Sequence, residues 1–207
     1  MAITTYAELQ TSVANWLHRS DLTALIPDFI MLAESRMNAD IESRSMEARV
    51  TLTCVPGSTL AARLVALPTD MLEMRRLSVV DTDPAQVLEY KSPDQIMQDN
   101  PYLLSAARPS CFTVIGANIE LASPPDAAYP LELIYQQRIP ALSVSNTTNW
   151  LLAGFPATYL WGALASASPY TQDDERIAIY ERKYQEMVNT INRIDWYSGS
   201  TLRVRAR

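Results

Sequence analysis

One histidine, two cysteines and five glycines are spread through the 207 residues of this chain. Each scarcity removes a class of chemistry. With His18 alone, a metal site built on imidazole nitrogens with cysteine sulfurs has no second nitrogen ligand. Cys54 and Cys111 stand too far apart for a CxxC pair and are too few for a disulfide framework, so both read as reduced, packed thiols. The glycines form no GxGxxG and no phosphate loop. No serine lies in GxSxG, and His18 would have to serve any triad as its base. Asp173-Asp174-Glu175 lacks the spacing of a calcium loop and reads as a helix start. No paired-carboxylate motif supports a hydrolase. No cofactor is expected.

Long apolar runs are also missing. None approaches the roughly 20 residues that cross a bilayer, so no membrane partner is expected. Met1-Ala2-Ile3-Thr4-Thr5 has no basic region followed by an apolar stretch, so no secretory signal is apparent and the expectation is a protein that is cytoplasmic at synthesis. Basic excess is absent too. A net charge of −6 argues against tight wrapping of DNA, which needs a concentrated basic face. What the chain does have is 48% hydrophobic residues, enough for a real core.

Those residues follow two different periods. Thr5-Tyr6-Ala7-Glu8 has the form of a capping box, and Tyr6, Leu9, Val13, Trp16 and Leu17 follow it on one helical stripe. Pro27 suits the first turn of a second helix. Phe29, Ile30, Ala33, Met37 and Ile41 form its apolar stripe, with Glu34, Arg36 and Asp40 on the polar face. The period then changes. Met46, Ala48, Val50, Leu52 and Cys54 alternate with polar residues as in a half-buried strand. Further strands are expected at 63–67, 75–80, 86–90, 111–115, 119–123 and 131–136. Turns at 56–58, 81–84, 116–118 and 124–126 separate them, and Ser92-Pro93-Asp94-Gln95 starts a short helix limited by Pro101.

From Asn149 the helical period returns. Pro156 starts one helix, which ends near Pro169. Thr171 caps the last, whose stripe is Ile177, Tyr180, Tyr184, Met187, Val188, Ile191 and Ile194. Small residues on the first of these allow a neighbour to come close, so Pro156, Tyr159, Gly162, Ala163 and Ser166 are the candidate subunit contact. Trp16, Trp150, Trp161 and Trp196 lie in or beside helices and read as core and subunit contact.

The expected fold is therefore α+β. Residues 1–44 and 145–197 form a helical bundle from both chain ends, 45–140 form an inserted antiparallel β domain, and 198–207 form an extended arm. In the arm, Leu202, Val204 and Ala206 alternate with Arg203, Arg205 and Arg207. That pattern fits either a disordered basic end or a strand added to a partner's sheet edge.

The order of the segments resembles the head-to-tail adaptors of short-tailed bacteriophages, the tail tubular protein A-like group. The matching stretches are Thr5–Leu17, 26–36, 46–52, Leu67-Pro68-Thr69-Asp70-Met71-Leu72-Glu73-Met74-Arg75, 88–90, Arg108-Pro109, Ile115-Gly116, 135–142, Thr148-Asn149-Trp150-Leu151-Leu152 and Asp173-Asp174-Glu175-Arg176. No single motif is specific; their order and spacing carry the resemblance. It implies a structural virion protein with no reaction to catalyse, assembled in the host cytoplasm and sited in the neck. It implies a dodecameric ring between the portal protein and the tail nozzle or tail fibre proteins, with genomic DNA passing through. The alternation in the tail, independently of the resemblance, makes Thr201, Leu202, Arg203, Val204, Arg205, Ala206 and Arg207 the candidate portal-binding arm. The alternative in another class is a soluble DNA-binding module that acts through the same arginines.

Overall fold

The computed structural model describes residues 3–19, 21–81, 84–99, 104–171 and 174–194. Helices lie at both ends of the chain with a β region between them. The chain divides into two compact units, one of residues 1–46 and 139–207, the other of residues 47–138.

In the first unit, α1 (Tyr6–Leu17) begins as its capping box dictates. The Glu8 amide donates to the Thr5 hydroxyl at 3.4 Å, and the Thr5 amide donates to the Glu8 carboxylate at 3.1 Å. The helix stops at His18, which adopts a left-handed conformation with φ of 51°. α2 (Ile26–Asp40) carries Pro27 in its first turn, where a missing N–H costs nothing. Its stripe of Phe29, Ile30, Ala33 and Met37 is buried. Asn149 caps α4 (Trp150–Gly154) by accepting from the Leu152 amide at 2.8 Å. α5 (Pro156–Thr171) continues through Pro169 instead of ending there. The lost backbone bond falls in the last turn, where it disturbs little. Thr171 is thus the last residue of α5, and the side chains expected to start the final helix lie outside the described residues. α6 (Asp174–Ile194) buries Tyr180, Tyr184, Val188 and Ile191. α5 packs against α1, α2, α4 and α6, which makes it the centre of the bundle.

The second unit is two four-stranded sheets and a short helix. β1 (Glu47–Thr53), β3 (Met71–Val79), β4 (Gln86–Val87) and β8 (Pro130–Gln137) form one sheet in the order β1-β8-β3-β4. β2 (Leu64–Ala66), β5 (Glu89–Tyr90), β6 (Cys111–Ile115) and β7 (Asn118–Leu121) form the other in the order β2-β7-β6-β5. α3 (Pro93–Asp99) follows β5, and its Ser92 and Gln95 cap each other through their amides at 3.0 and 3.4 Å. Leu77, Val79, Leu131, Leu133 and Tyr135 from the first sheet meet Val65, Phe112, Ile119 and Leu121 from the second in one core. Each such side chain contributes about 1.5–3 kcal/mol when fully removed from water.

Two strands differ from the periodic reading. β3 starts at Met71, earlier than residue 75, because register shifts at Met71/Glu73 and Met74/Arg76 break the alternation that marks a strand. The single strand expected at 86–90 is two. Gln86 and Val87 pair with β3, while Glu89 and Tyr90 pair in parallel with β6. Leu88, 4% exposed, points into the core between them.

Candidate assembly surfaces

α2 shows how the bundle is tied together. Glu34 and Asn38 are one turn apart and hold the returning chain. The Ile139 amide donates to Asn38 Oδ1 at 2.8 Å, and the Leu142 amide donates to Glu34 Oε1 at 2.8 Å. Tyr159 also donates to Glu34 at 3.3 Å, and Asn149 donates to the Tyr159 oxygen at 2.6 Å and to the Pro140 carbonyl at 2.7 Å. Burial pushes the Glu34 carboxyl up, against the lowering effect of the Leu142 amide and the Tyr159 hydroxyl. Burial likewise raises the Tyr159 phenol. Helical period puts Glu34 on the polar face of α2; at 7% exposure it is instead a buried acceptor.

Between Glu34 and Asn38 on α2, Arg36 grips Glu181 of α6 with both ends of its guanidinium, one contact measuring 2.8 Å. The same group reaches Asp40 at 3.2 Å and lies 4.4 Å from the centre of the Tyr184 ring. The Tyr184 hydroxyl donates to Asp40 at 2.9 Å, and burial followed by Asp40 raises its pKa. Asn192 closes the end, donating to the Asp40 carbonyl at 3.0 Å and accepting from the Glu42 amide at 3.0 Å.

The small-residue face of α5 is used inside the protomer. A Cβ on Gly162 would lie 2.8 Å from Met37 Cε and 3.3 Å from Ala33 Cβ. Tyr159 and Ala163 are 0% exposed. The neighbour that the small residues admit is therefore α2 of the same chain, which corrects the expectation that Tyr159, Gly162 and Ala163 form a subunit contact. Pro156 and Ser166 are half-buried, and Ser166 donates to the Gly162 carbonyl at 3.0 Å. The tryptophans lie nearer the surface than a core reading expects. Trp16 is 47% exposed and packs edge-on against Trp161 at 5.3 Å, which stacks on Tyr180 at 5.9 Å. Trp150 is half-buried, and Trp196 lies outside the described residues.

The outward faces of α2 and α6 are unlike. On α6 the exposed residues are mostly polar, among them Arg176, Arg182, Glu186, Asn189 and Arg193, with Ile179 and Ile194 standing apart from each other at 49% and 48% exposure. On α2 they are Pro27, Asp28, Met31, Leu32, Ser35 and Ala39. Met31 and Leu32 are 59% and 51% exposed, so this helix is apolar on its outer side as well as its inner one. The sequence reading missed it, although Pro27, Met31, Leu32 and Ala39 at helical spacing were its signal.

In the β unit, a cavity of about 340 Å³ opens between the sheets beside β3 and β6. Two of its arginines are held by carboxylates of their own sheet, Arg75 by Glu47 at 3.4 Å and Arg76 by Glu132 at 3.1 Å. Arg63, 2% exposed, is another residue whose role the sequence hid. It donates to the Leu121 carbonyl at 2.8 Å and pairs with Glu120 at 3.0 Å. Cys54 is buried against the Tyr129 backbone, and burial pushes its thiol up; Cys111 is half-buried. Among the described residues no group of three metal-ligating side chains comes together, and no helix is long and apolar enough to cross a membrane. Residues 201–207, the candidate portal-binding arm, lie outside the described residues.

The family model of the SU10 adaptor protein matches residues 4–205. The chain belongs to that family. As an SU10 adaptor protein it is a structural component of a phage particle that joins other proteins of the head and tail. The match extends through both units, so the β insertion is included along with the bundle. No curated protein matches the chain.

Proposed function

We propose that this SU10 adaptor forms a dodecameric ring in the virion neck, between the portal protein and the tail nozzle, with the genome passing through its channel during ejection. The tail tubular protein A-like resemblance supports this finer placement beside the family match. The observation that carries it is the outer face of α2. An apolar helix face exposed on a single copy is what a subunit joint leaves behind when the copies are separated. Closing a ring takes two different surfaces per copy, each joint burying more than about 1,000 Å². The α2 face supplies one of them, and Pro156 and Ser166 of α5, both half-buried, remain candidates for the joint. The arm of Thr201–Arg207 strengthens the hold on the portal.

Mass measurement of the purified protein, alone and with portal, is the test. A closed ring in either condition supports the reading. Leu32→Glu is expected to leave the melting temperature within about 2 °C of wild type, because the side chain is already half in water. It is expected to abolish the ring. Intact rings in particles that carry Leu32→Glu would remove α2 from the joint. A monomer that stays single with portal present and shifts DNA in a gel would replace the ring with a DNA-binding module.

A further inference from the structure

The β sandwich is open along one side. β4 covers β3 only at Ser78 and Val79, with one more bond from the Leu88 amide to the Leu77 carbonyl at 2.9 Å. Among the described residues no strand pairs with Met71–Arg76 on that side. The cavity lies at this gap. Met74, Leu77, Leu88, Tyr90, Phe112 and Val114 give it an apolar lining. Leu77, Leu88 and Phe112 belong to the sandwich core, so the gap leads from the free edge of a strand straight into buried apolar surface. An extended peptide placed there gains backbone hydrogen bonds and apolar pockets for alternate side chains together.

We infer that this groove receives the C-terminal arm of a second copy of the chain, laid along the free edge of β3 with Leu202, Val204 and Ala206 turned inward. The inference rests on the ring reading and names how one copy holds the next. Three observations select that occupant. Thirteen residues follow Ile194, enough to span about 40 Å when extended. Their alternation matches a strand with one apolar face, as the groove requires. Their charge also fits. The chain as a whole is at −6, although Arg203, Arg205 and Arg207 crowd its last five positions, so the remainder is more acidic than the total. The arginines that line the groove are already ion-paired with Glu47 and Glu132. Glu73 on β3 stands exposed on the strand that bounds it, and Glu89 on β5 is exposed with Lys91 near it at 3.8 Å, so the rim offers carboxylates to an outward row of guanidinium groups. An arm in its neighbour's groove is a head-to-tail contact between unlike surfaces, the kind that closes a ring; an arm in its own groove would link nothing. The arm then acts on portal binding through the number of copies it gathers.

Thiol cross-linking between full-length chains tests this. One variant carries Val87→Cys at the groove, where the side chain is 59% exposed and dispensable to the core, and the other carries Val204→Cys in the arm. Both also carry Cys111→Ser, and melting curves establish that both fold. Mixed with a short bismaleimide, the two are expected to give a covalent dimer that neither gives alone. Tyr90→Asp in the groove partner, at a side chain 60% exposed, is expected to lower the yield about tenfold or more. No dimer from the mixture overturns the inference. So does cross-linking only within one chain when both cysteines are on it, or cross-linking of position 204 to portal alone. Mass measurement of the same samples separates the two readings. Rings without the cross-link leave the ring standing and remove the groove, whereas the cross-link in open chains or dimers keeps the groove and removes the ring.

Discussion

Arg36 on α2 and Glu181 on α6 form a two-pronged ion pair across 145 residues of sequence. The first helical hairpin and the last helix are thus joined by a charge pair as well as by apolar packing. Both side chains are more than a third exposed, so water and salt screen the attraction. Glu181→Gln is expected to cost about 1 kcal/mol or less at neutral pH. Arg36 holds the Glu181 carboxyl below its ordinary value of 4.5, so the contribution is present above that value and is lost as the pH falls through the lowered one. Melting curves of wild type and variant should draw together as the pH falls from 4.5 through that lowered value. A difference that persists at lower pH would show that the pair's charge is not what matters.

Glu34 has the opposite sign. Its carboxyl is raised, so the folded state favours the protonated form, and its contribution to stability is lost as the pH rises from 4.5 through the raised value. Glu34→Gln keeps an acceptor for the Leu142 amide without the buried charge. The variant is expected to gain on wild type as the pH rises through that window and to hold a constant difference above it. Glu34→Ala leaves the Leu142 N–H without its partner and should cost about 1–3 kcal/mol. Denaturant titrations at several pH values distinguish the two variants.

Ile191 is 0% exposed on α6. Ile191→Asp would place an unpaired charge among apolar neighbours and is expected to cost about 3 kcal/mol or more. Circular dichroism melts provide the check, and near-wild-type stability would mean that α6 is not held in the bundle through this face.

Gly162→Trp is expected to unfold the bundle and not merely to block assembly. Met37 Cε can swing aside for a Cβ, but Ala33 and Tyr184 leave an indole no room. A loss of about 4 kcal/mol or more, or no folded monomer, is the expected result. A folded monomer that fails to form rings would return this face of α5 to the subunit joint.

Much of this architecture could be read along the chain because its signals are local. The Thr5–Glu8 capping box, Pro27 in a first turn, the Ser92–Gln95 cap and the left-handed Gly116 between two strands each depend on residues a few positions apart. Helical period at both ends and alternation between them set the α+β class by the same means. Tertiary structure decided which faces meet. The stripe of Pro156, Tyr159, Gly162, Ala163 and Ser166 permits a close neighbour, but nothing local says whether that neighbour is α2 of the same chain or another copy. Glu34 reads as solvated until the return of residues 139–142 covers it. The division of 86–90 between two sheets, and the open edge it leaves on β3, depend on pairings with strands far away in sequence. Helix caps and turns satisfy hydrogen bonds within one stretch of backbone, so sequence determines them. Burial and strand pairing are satisfied only by partners from elsewhere in the chain, and only the folded structure supplies those.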